Sequence, residues 1–233
     1  MPGRQNSPLP LIVKVCGITR LQDAQTAIAL GADWIGLNLV QGPRMISSTI
    51  AISIVTRLDR ADRAVILTRI EDDKPTDEAM RSWRDAGVSR VQVYGRPTPA
   101  TTARLHRAGL SFIAVQPCGG REFVERATEM VSSCGTHRPE FILLDAESGV
   151  ALGGTGRLAD WDAIEAVRGS GALRSLPPIL LAGGLTPENV AEAVRRVGPI
   201  GVDVSSGVES SPGKKDAARM ERFIRAARNS SSG

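Results

Sequence analysis

Two titratable side chains, Cys16 and Asp145, stand at the ends of short apolar runs, where they could move protons. Cys16 closes the run LIVKVC ahead of a glycine, and Asp145 follows the run FILL. A thiol beside a cation or a helix N-terminus becomes a thiolate near neutral pH and acts as nucleophile or base. A carboxyl shut away from water stays protonated long enough to act as an acid. The pair therefore suits removal of one proton from carbon and delivery of another to oxygen.

Each of these two residues also has a structural interpretation. A cysteine in an apolar strand often serves as a small core hydrophobe, and the residues alone leave that alternative open for Cys16. An uncompensated carboxylate is costly to bury, which favours a functional role for Asp145.

Small residues form three loops in the last third of the chain, as expected for a phosphate site. The loops are GGTG (153–156), AGG (182–184) and VSSG (204–207). Backbone N–H groups of such loops approach an anion without a side chain in the way, although glycines also simply make tight turns. The residues predicted to bind phosphate are Gly154, Gly156, Gly183, Gly184, Ser205, Ser206 and Gly207.

Eight short apolar, β-branched runs alternate with segments of helical spacing along the chain. Nearly continuous apolar strands are buried on both faces, which is typical of a parallel sheet covered by helices. Eight βα units in this length predict a (β/α)₈ barrel, with an open doubly wound sheet as the alternative. The predicted strands are 11–17, 33–40, 63–69, 89–95, 110–117, 140–146, 177–184 and 200–207. Predicted helix starts are Thr19, Thr98 and Thr186, and predicted helix ends are Gly31, Gly87, Gly109 and Gly198.

In such a barrel the active site lies at the carboxyl ends of the strands, so position along each strand selects candidates. Besides Cys16, Asp145 and the glycine loops, this criterion selects Asn38, Arg44, Gln92, Tyr94 and Asp203. It excludes His106 and His137 as catalysts or metal ligands, and Cys118 and Cys134 are expected to be structural. No metal site and no cofactor are predicted.

Composition narrows the function classes further. The 233 residues carry a formal charge of +4 and only 3% aromatic residues, and the basic residues are spread along the chain, so nucleic-acid binding is not predicted. Three widely spaced cysteines predict neither disulfides nor zinc, and no apolar run reaches bilayer length. We expect a cytoplasmic protein without membrane contact, consisting of one barrel domain (11–228) with disordered tails at 1–10 and 229–233.

Four segments of the sequence resemble the phosphoribosylanthranilate isomerase family of tryptophan biosynthesis. They are KVCGITRLQDA, LLDAESGVALGGTGRLADW, ILLAGGLTPENV and VDVSSGVESSPGKKD. The resemblance implies a (β/α)₈ barrel that converts a phosphorylated aminoaldose into an aminoketose by an Amadori rearrangement, as a monomer or homodimer without a cofactor. It also implies that Cys16 is the general base and Asp145 the general acid.

The same resemblance assigns the substrate contacts. Arg44 matches an arginine that faces the anthranilate carboxylate, and Asp203 matches an aspartate near the anthranilate amine. Gln92 and Tyr94 are further predicted substrate contacts, and the glycine and serine loops match the phosphate site.

Two features depart from the family pattern. The segment GLNLVQGPRMIS after the second strand is shorter and more polar than usual, and VQVYG places Tyr94 where the family usually has histidine. Two alternatives therefore stay open. One is a related isomerase with a different aminosugar phosphate, such as the aminoimidazole-carboxamide substrate of histidine synthesis. The other is a barrel that binds a phosphorylated ligand without turnover.

Overall fold

The computed structural model describes residues 10–70, 75–120, 122–146 and 158–230. Eight parallel strands form a closed barrel in the order β1 to β8, and β1 pairs with β8 to close it. The closed barrel confirms the predicted fold and excludes the open sheet. The barrel strands are β1 Ile12–Val15, β2 Trp34–Asn38, β3 Ala64–Arg69, β4 Arg90–Tyr94, β5 Ser111–Cys118, β6 Phe141–Ala146, β7 Ile179–Leu181 and β8 Gly201–Val204.

Helices follow the strands in chain order and cover the outside of the barrel. They are α1 Leu21–Ala29, α2 Ser48–Val55, α3 Asp77–Asp85, α4 Pro99–Arg107, α5 Phe123–Ser133, α6 Trp161–Ser170, α7 Val190–Val197 and α8 Ala217–Ser230. Among the residues described, no helix is long and apolar enough to cross a bilayer.

The strands are buried on both faces, as their composition predicts. One apolar cluster packs strands against helices and includes Val13, Val15 and Phe223. A second cluster fills the barrel interior and includes Val65, Ile113 and Leu143. The interior is therefore a packed core.

Some of the predicted helix boundaries were correct and others were wrong. Thr98 caps α4, since its hydroxyl oxygen accepts the Thr101 N–H, and the four glycines predicted as helix ends all have positive φ. The prediction for Thr19 was wrong, because α1 begins at Leu21 and the Thr19 hydroxyl donates to the Gly213 carbonyl. The prediction for Thr186 was also wrong, because α7 begins only after Asn189; the Thr186 hydroxyl accepts the Glu188 N–H in the turn that precedes the helix.

A short hairpin after β8 was absent from the sequence prediction. Strands β9 Glu209–Ser211 and β10 Lys214–Lys215 pair in antiparallel fashion before α8 begins.

Cys118, expected beyond the fifth strand, is instead its last residue. The helix α8 ends at Ser230, and the predicted domain boundaries at 10 and 229 stay a prediction. Residues 1–9 and 231–233 lie outside the described residues.

Candidate active site

An open cavity lies at the carboxyl ends of the strands, where side chains from several βα units meet. It brings together predicted residues from the first, second, fourth, sixth, seventh and eighth βα units. The predicted residues that line it are Cys16, Arg44, Tyr94, Asp145, Gly183, Gly184, Asp203, Ser205 and Ser206, together with Asn38. Gln92 and Gly207 do not line this cavity, and Gly154 and Gly156 lie outside the described residues.

Cys16 follows β1 at the floor of the cavity and is only 7% exposed. Burial and the Asp203 carboxylate raise the pKa of the thiol, while the cations Lys14 and Lys215 act in the opposite direction. A thiol with a raised pKa is a stronger base once it is ionised. The neighbouring cations therefore decide whether the thiolate is accessible.

Gly36 on β2 leaves the space that the Cys16 side chain occupies. A Cβ atom at this position would lie 2.7 Å from Cys16 Sγ and 3.0 Å from its Cα. Real Cβ contacts are not this short, so an added methyl group must displace the thiol or the strand.

Because Cys16 is a predicted proton-transfer group, we expect Gly36→Ala to lower kcat by up to about 100-fold, the cost of misplacing such a group. Overpacking should also destabilise the fold by about 1–3 kcal/mol. Steady-state kinetics and thermal unfolding measure the two effects. Gly169→Ala is the matched control, because nothing lies within 4 Å of a Cβ there. Wild-type kcat in Gly36→Ala would contradict the placement of the thiol.

Asp145 lies near the end of β6 and faces the cavity. Its Oδ1 accepts the N–H of Ala146 at 2.8 Å. Burial raises the pKa of Asp145 to about 6, although this hydrogen bond acts to lower it. Part of the population is therefore protonated near neutral pH, as a general acid requires.

A buried polar chain crosses the barrel directly beneath the cavity. Lys14 Nζ donates to Asp203 Oδ2 at 2.9 Å and to Gln92 Oε1 at 2.8 Å. Gln92 Nε2 in turn donates to Tyr94 Oη at 3.1 Å. Burial acts to lower the pKa of Lys14, but Asp203 and Cys16 raise it by more, so the ammonium stays charged.

Three predicted substrate contacts belong to this row of hydrogen-bonded side chains: Gln92, Tyr94 and Asp203. Each lies at a different position relative to the cavity. Gln92 lies below the cavity as a link between Lys14 and Tyr94. Burial raises the pKa of Tyr94 well above its ordinary value, so the phenol stays protonated and can only exchange hydrogen bonds. Asp203 Oδ1 is buried and has no hydrogen-bond partner among the described residues, although its carboxylate borders the cavity. An unpaired acceptor of this kind is suited to an N–H or O–H donor on a ligand.

The loops after β7 and β8 border the cavity, and their glycines bring the backbone close to neighbouring atoms. Gly183 has a φ of 87° and leaves no room for a side chain, because a Cβ would lie 2.6 Å from the N atom of Ala146. Gly207 packs against the Leu185 backbone, where a Cβ would be 2.0 Å from the carbonyl oxygen. Its part in phosphate binding stays a prediction.

Arg44 reaches the cavity from the loop after β2 but is already paired. Its Nε and Nη2 donate to Glu209 Oε1 and Oε2 at 2.8 and 2.7 Å. Sequence reasoning missed Glu209, Lys14 and Lys215. Lys14 could have been found, since a lysine within the buried run LIVKVC requires a partner. Glu209 and Lys215 carry no comparable local signal.

The two histidines lie outside the cavity, on α4 and in the loop before β6, where they stack with ring centroids 4.2 Å apart. Across the described ranges, no three His, Cys, Asp or Glu side chains form a group suited to a metal ion.

Comparison of the sequence with known proteins identifies enzymes that are similar to this chain. The family model described as N-(5'-phosphoribosyl)anthranilate (PRA) isomerase matches residues 13–226. The N-(5'-phosphoribosyl)anthranilate isomerase of Geobacter sp. strain M21 is 37% identical over 213 residues, covering 91% of this chain and 95% of that protein. The enzyme of the same name from Myxococcus xanthus is 38% identical over 219 residues, covering 93% and 96%.

Solved structures agree with the sequence comparison. Phosphoribosyl anthranilate isomerase from Thermotoga maritima superposes with a TM-score of 0.79 at 30% identity, covering 94% of this chain and 99% of that one. A further phosphoribosyl anthranilate isomerase superposes with a TM-score of 0.76 at 28% identity and the same coverage. That enzyme was solved with reduced 1-(o-carboxyphenylamino)-1-deoxyribulose 5-phosphate. The chain therefore belongs to the N-(5'-phosphoribosyl)anthranilate isomerase family and is an isomerase of tryptophan biosynthesis.

Proposed function

We propose that the chain converts N-(5'-phosphoribosyl)anthranilate into 1-(2-carboxyphenylamino)-1-deoxyribulose 5-phosphate by an Amadori rearrangement. The observation that carries this proposal is the shared cavity, which Cys16 and Asp145 border together with residues of the loops 182–184 and 204–207. The relative solved with the reduced aminoketose phosphate supports the choice of substrate.

In the proposed first step, Asp145 donates its proton to the furanose oxygen. The bond from C1 to that oxygen breaks, and the nitrogen lone pair forms the C1=N bond of the open imine. The raised pKa of Asp145 supports this role, because it keeps part of the carboxyl protonated near neutral pH.

In the proposed second step, the Cys16 thiolate takes the C2 proton. The C2–H electrons form the C1=C2 bond of an enolamine, and the imine nitrogen gains the electron pair of its double bond. Proton loss from the C2 hydroxyl and proton gain at C1 then yield the ketone. The loops after β7 and β8 would hold the phosphate through backbone N–H groups and the hydroxyls of Ser205 and Ser206.

Turnover of N-(5'-phosphoribosyl)anthranilate by the purified chain tests the proposal. The substrate is generated in place from anthranilate and phosphoribosyl pyrophosphate, and loss of its fluorescence is followed. Rapid loss that depends on the chain supports the isomerase and shows that Tyr94 and the short second loop are tolerated. A folded chain without turnover would favour an altered aminosugar substrate or a binding barrel.

Lys14 is the cation proposed to make the Cys16 thiolate accessible. We expect Lys14→Met to raise the pKa of Cys16, because the methionine keeps the length of the side chain but removes the positive charge that lowers it. A hydrogen bond to a charged group contributes about 1.5–3 kcal/mol, so kcat/KM should fall about 10- to 100-fold.

The direct measurement is the rate of Cys16 alkylation by iodoacetamide against pH, read by mass spectrometry of the Cys16 peptide. In Lys14→Met the inflection should move to higher pH. Lys214→Met removes an exposed lysine and serves as the control for net charge. An unchanged inflection in Lys14→Met would mean that Lys14 only supports the fold.

The oligomeric state is proposed as monomer or homodimer. Monomers generated from the dimeric isomerase of Thermotoga maritima have been solved, and one superposes on this chain with a TM-score of 0.76 at 28% identity. Light scattering after size exclusion distinguishes the two states.

A further inference from the structure

A buried ion network lies beside the cavity. It includes Glu209, which has no role assigned above, and Lys215, whose charge also favours the Cys16 thiolate. Glu209 accepts two hydrogen bonds from Arg44, and Lys215 Nζ donates to Glu209 Oε1 at 2.8 Å. Arg44, Glu209 and Lys215 are only 8%, 6% and 5% exposed. Removing three charged groups from water is costly, so their pairing points to a purpose beyond a surface ion pair.

The network is held in place by its surroundings. The Lys215 backbone N–H donates to Asp23 Oδ2 at 3.2 Å, and Arg20 forms a forked ion pair with the same carboxylate. The hairpin that carries Glu209 and Lys215 is thereby tied to the start of α1. The Arg44 side chain passes over Gly17, where a Cβ would lie 2.4 Å from Arg44 Cδ.

The hydrogen bonds leave one edge of the Arg44 guanidinium available. Glu209 occupies the edge formed by Nε and Nη2, and within the described residues Nη1 has no recorded partner. A guanidinium can bind a carboxylate through the Nη1 and Nη2 edge as well. Because Arg44 borders the cavity, this second edge is suited to a ligand carboxylate.

The charges of the network also favour an anion. Burial acts to raise the pKa of Glu209, but Arg44 and Lys215 lower it by more, so Glu209 stays ionised. Counted formally, Arg44, Lys215 and Glu209 together carry a charge of +1, although burial lowers the pKa of Lys215. A ligand carboxylate would therefore complete the network instead of competing with Glu209.

Lys215 connects the network to the proposed phosphate loop. Its Nζ donates to the Ser205 carbonyl oxygen at 3.1 Å, and Ser205 Oγ lies 2.9 Å from the Cβ position of Gly17. The same ammonium thus contacts the carboxylate that holds Arg44 and the backbone of the loop after β8.

We propose that Glu209 and Lys215 are positioning residues, with Glu209 aligning Arg44 for the aromatic carboxylate of the substrate and Lys215 coupling this alignment to the phosphate loop. The inference rests on the proposed function, because the carboxylate belongs to the proposed substrate. Glu209 should therefore act on substrates that carry the carboxylate, whereas Lys215 should act on every phosphorylated substrate.

Two substrates separate these roles: N-(5'-phosphoribosyl)anthranilate and the aniline compound that lacks only the carboxylate, made by condensing aniline with ribose 5-phosphate. Glu209→Gln should raise KM for the first about 10- to 100-fold with little change in kcat, and should leave KM for the second within about twofold. Lys215→Met should raise KM for both substrates and weaken competitive inhibition by inorganic phosphate. It should also lower kcat on both, because the Lys215 charge favours the Cys16 thiolate. Chromatography of the products measures the rates.

Glu140→Gln is the matched control. Arg90 and Glu140 form the same forked ion pair, with distances of 2.9 and 2.8 Å, where β4 begins, at the opposite end of the barrel. This variant should leave both KM values unchanged. If Glu209→Gln fails to fold, Glu209→Asp keeps every charge and should still raise KM selectively for the carboxylated substrate.

The outcomes distinguish failure of the positioning roles of Glu209 and Lys215 from failure of the proposed function. Equal losses on both substrates in Glu209→Gln, or a fall in kcat at constant KM, would overturn the role of Glu209 while wild-type turnover stands. A Lys215→Met variant that still responds normally to inorganic phosphate would overturn the coupling. Absence of wild-type turnover would overturn the proposed function and the carboxylate role together.

Discussion

Cys16→Ala is expected to lower kcat by about 10²- to 10⁴-fold, the usual contribution of a positioned proton-transfer group. The reason is that the Cys16 thiol is buried at the cavity, and two nearby cations, Lys14 and Lys215, favour its ionised form. Cys16→Ser should be nearly as inactive, because an alcohol keeps the shape of the thiol but ionises far less readily. Fluorescence loss of N-(5'-phosphoribosyl)anthranilate provides kcat and KM for each variant.

The controls separate catalysis from folding. Binding of the reduced aminoketose phosphate, measured by calorimetry, should stay within about tenfold in Cys16→Ala, because the thiol is not needed to hold the ligand. Cys134→Ala removes another buried thiol, whose Sγ donates to the Met130 carbonyl at the end of α5, far from the proposed chemistry. It should retain wild-type kcat. Full activity in Cys16→Ala would contradict the assignment of Cys16 as the general base.

Asp145→Asn is expected to lower kcat by a similar factor of about 10² to 10⁴ and to change the shape of the pH profile. The proposed mechanism requires Asp145 protonated and Cys16 ionised. Below a pH of about 6 Asp145 is already protonated, so kcat/KM rises with pH as the thiolate fraction rises. Above about 6 the loss of the acid offsets the gain of the base, and the profile becomes flat up to the raised pKa of the thiol.

The Asp145→Asn variant has no carboxyl group at this position that could lose a proton as the pH rises. Its residual kcat/KM should therefore keep rising above pH 6, by about tenfold per pH unit, until the thiol itself is ionised. The measurement is kcat/KM of both proteins across pH 5 to 9, with Cys16 alkylation as a check that the thiol still titrates normally. A break near pH 6 that persists in Asp145→Asn would assign that pKa to another group. Macroscopic values of interacting groups belong to the pair, so the variant is what identifies the residue.

The departures from the family pattern bear on substrate contacts more than on proton transfer. Tyr94 borders the cavity as a buried phenol that Gln92 holds by a hydrogen bond, so it can steady a ligand without exchanging a proton near neutral pH. The short loop after β2 still delivers Arg44 to the cavity. Both observations support retention of the family's reaction.

The sequence by itself determined the barrel and the main candidates. Strands buried on both faces read as continuous apolar runs, and helices have their own period, so all eight units could be counted from local pattern. Polar residues at strand ends then selected Cys16, Asp145 and Asp203, because the architecture assigns strand ends to the site.

Only the tertiary structure decided which side chains meet. Arg44 and Glu209 lie 165 residues apart, and Lys14 and Asp203 lie 189 apart, so their pairing depends on barrel closure and strand register. The path of the loop after β8 turned Gly207 toward Leu185 and formed the hairpin that buries Lys215. Periodicity records which face of an element is buried, but it does not record which partner a buried charge will find, since that is a property of packing across the barrel.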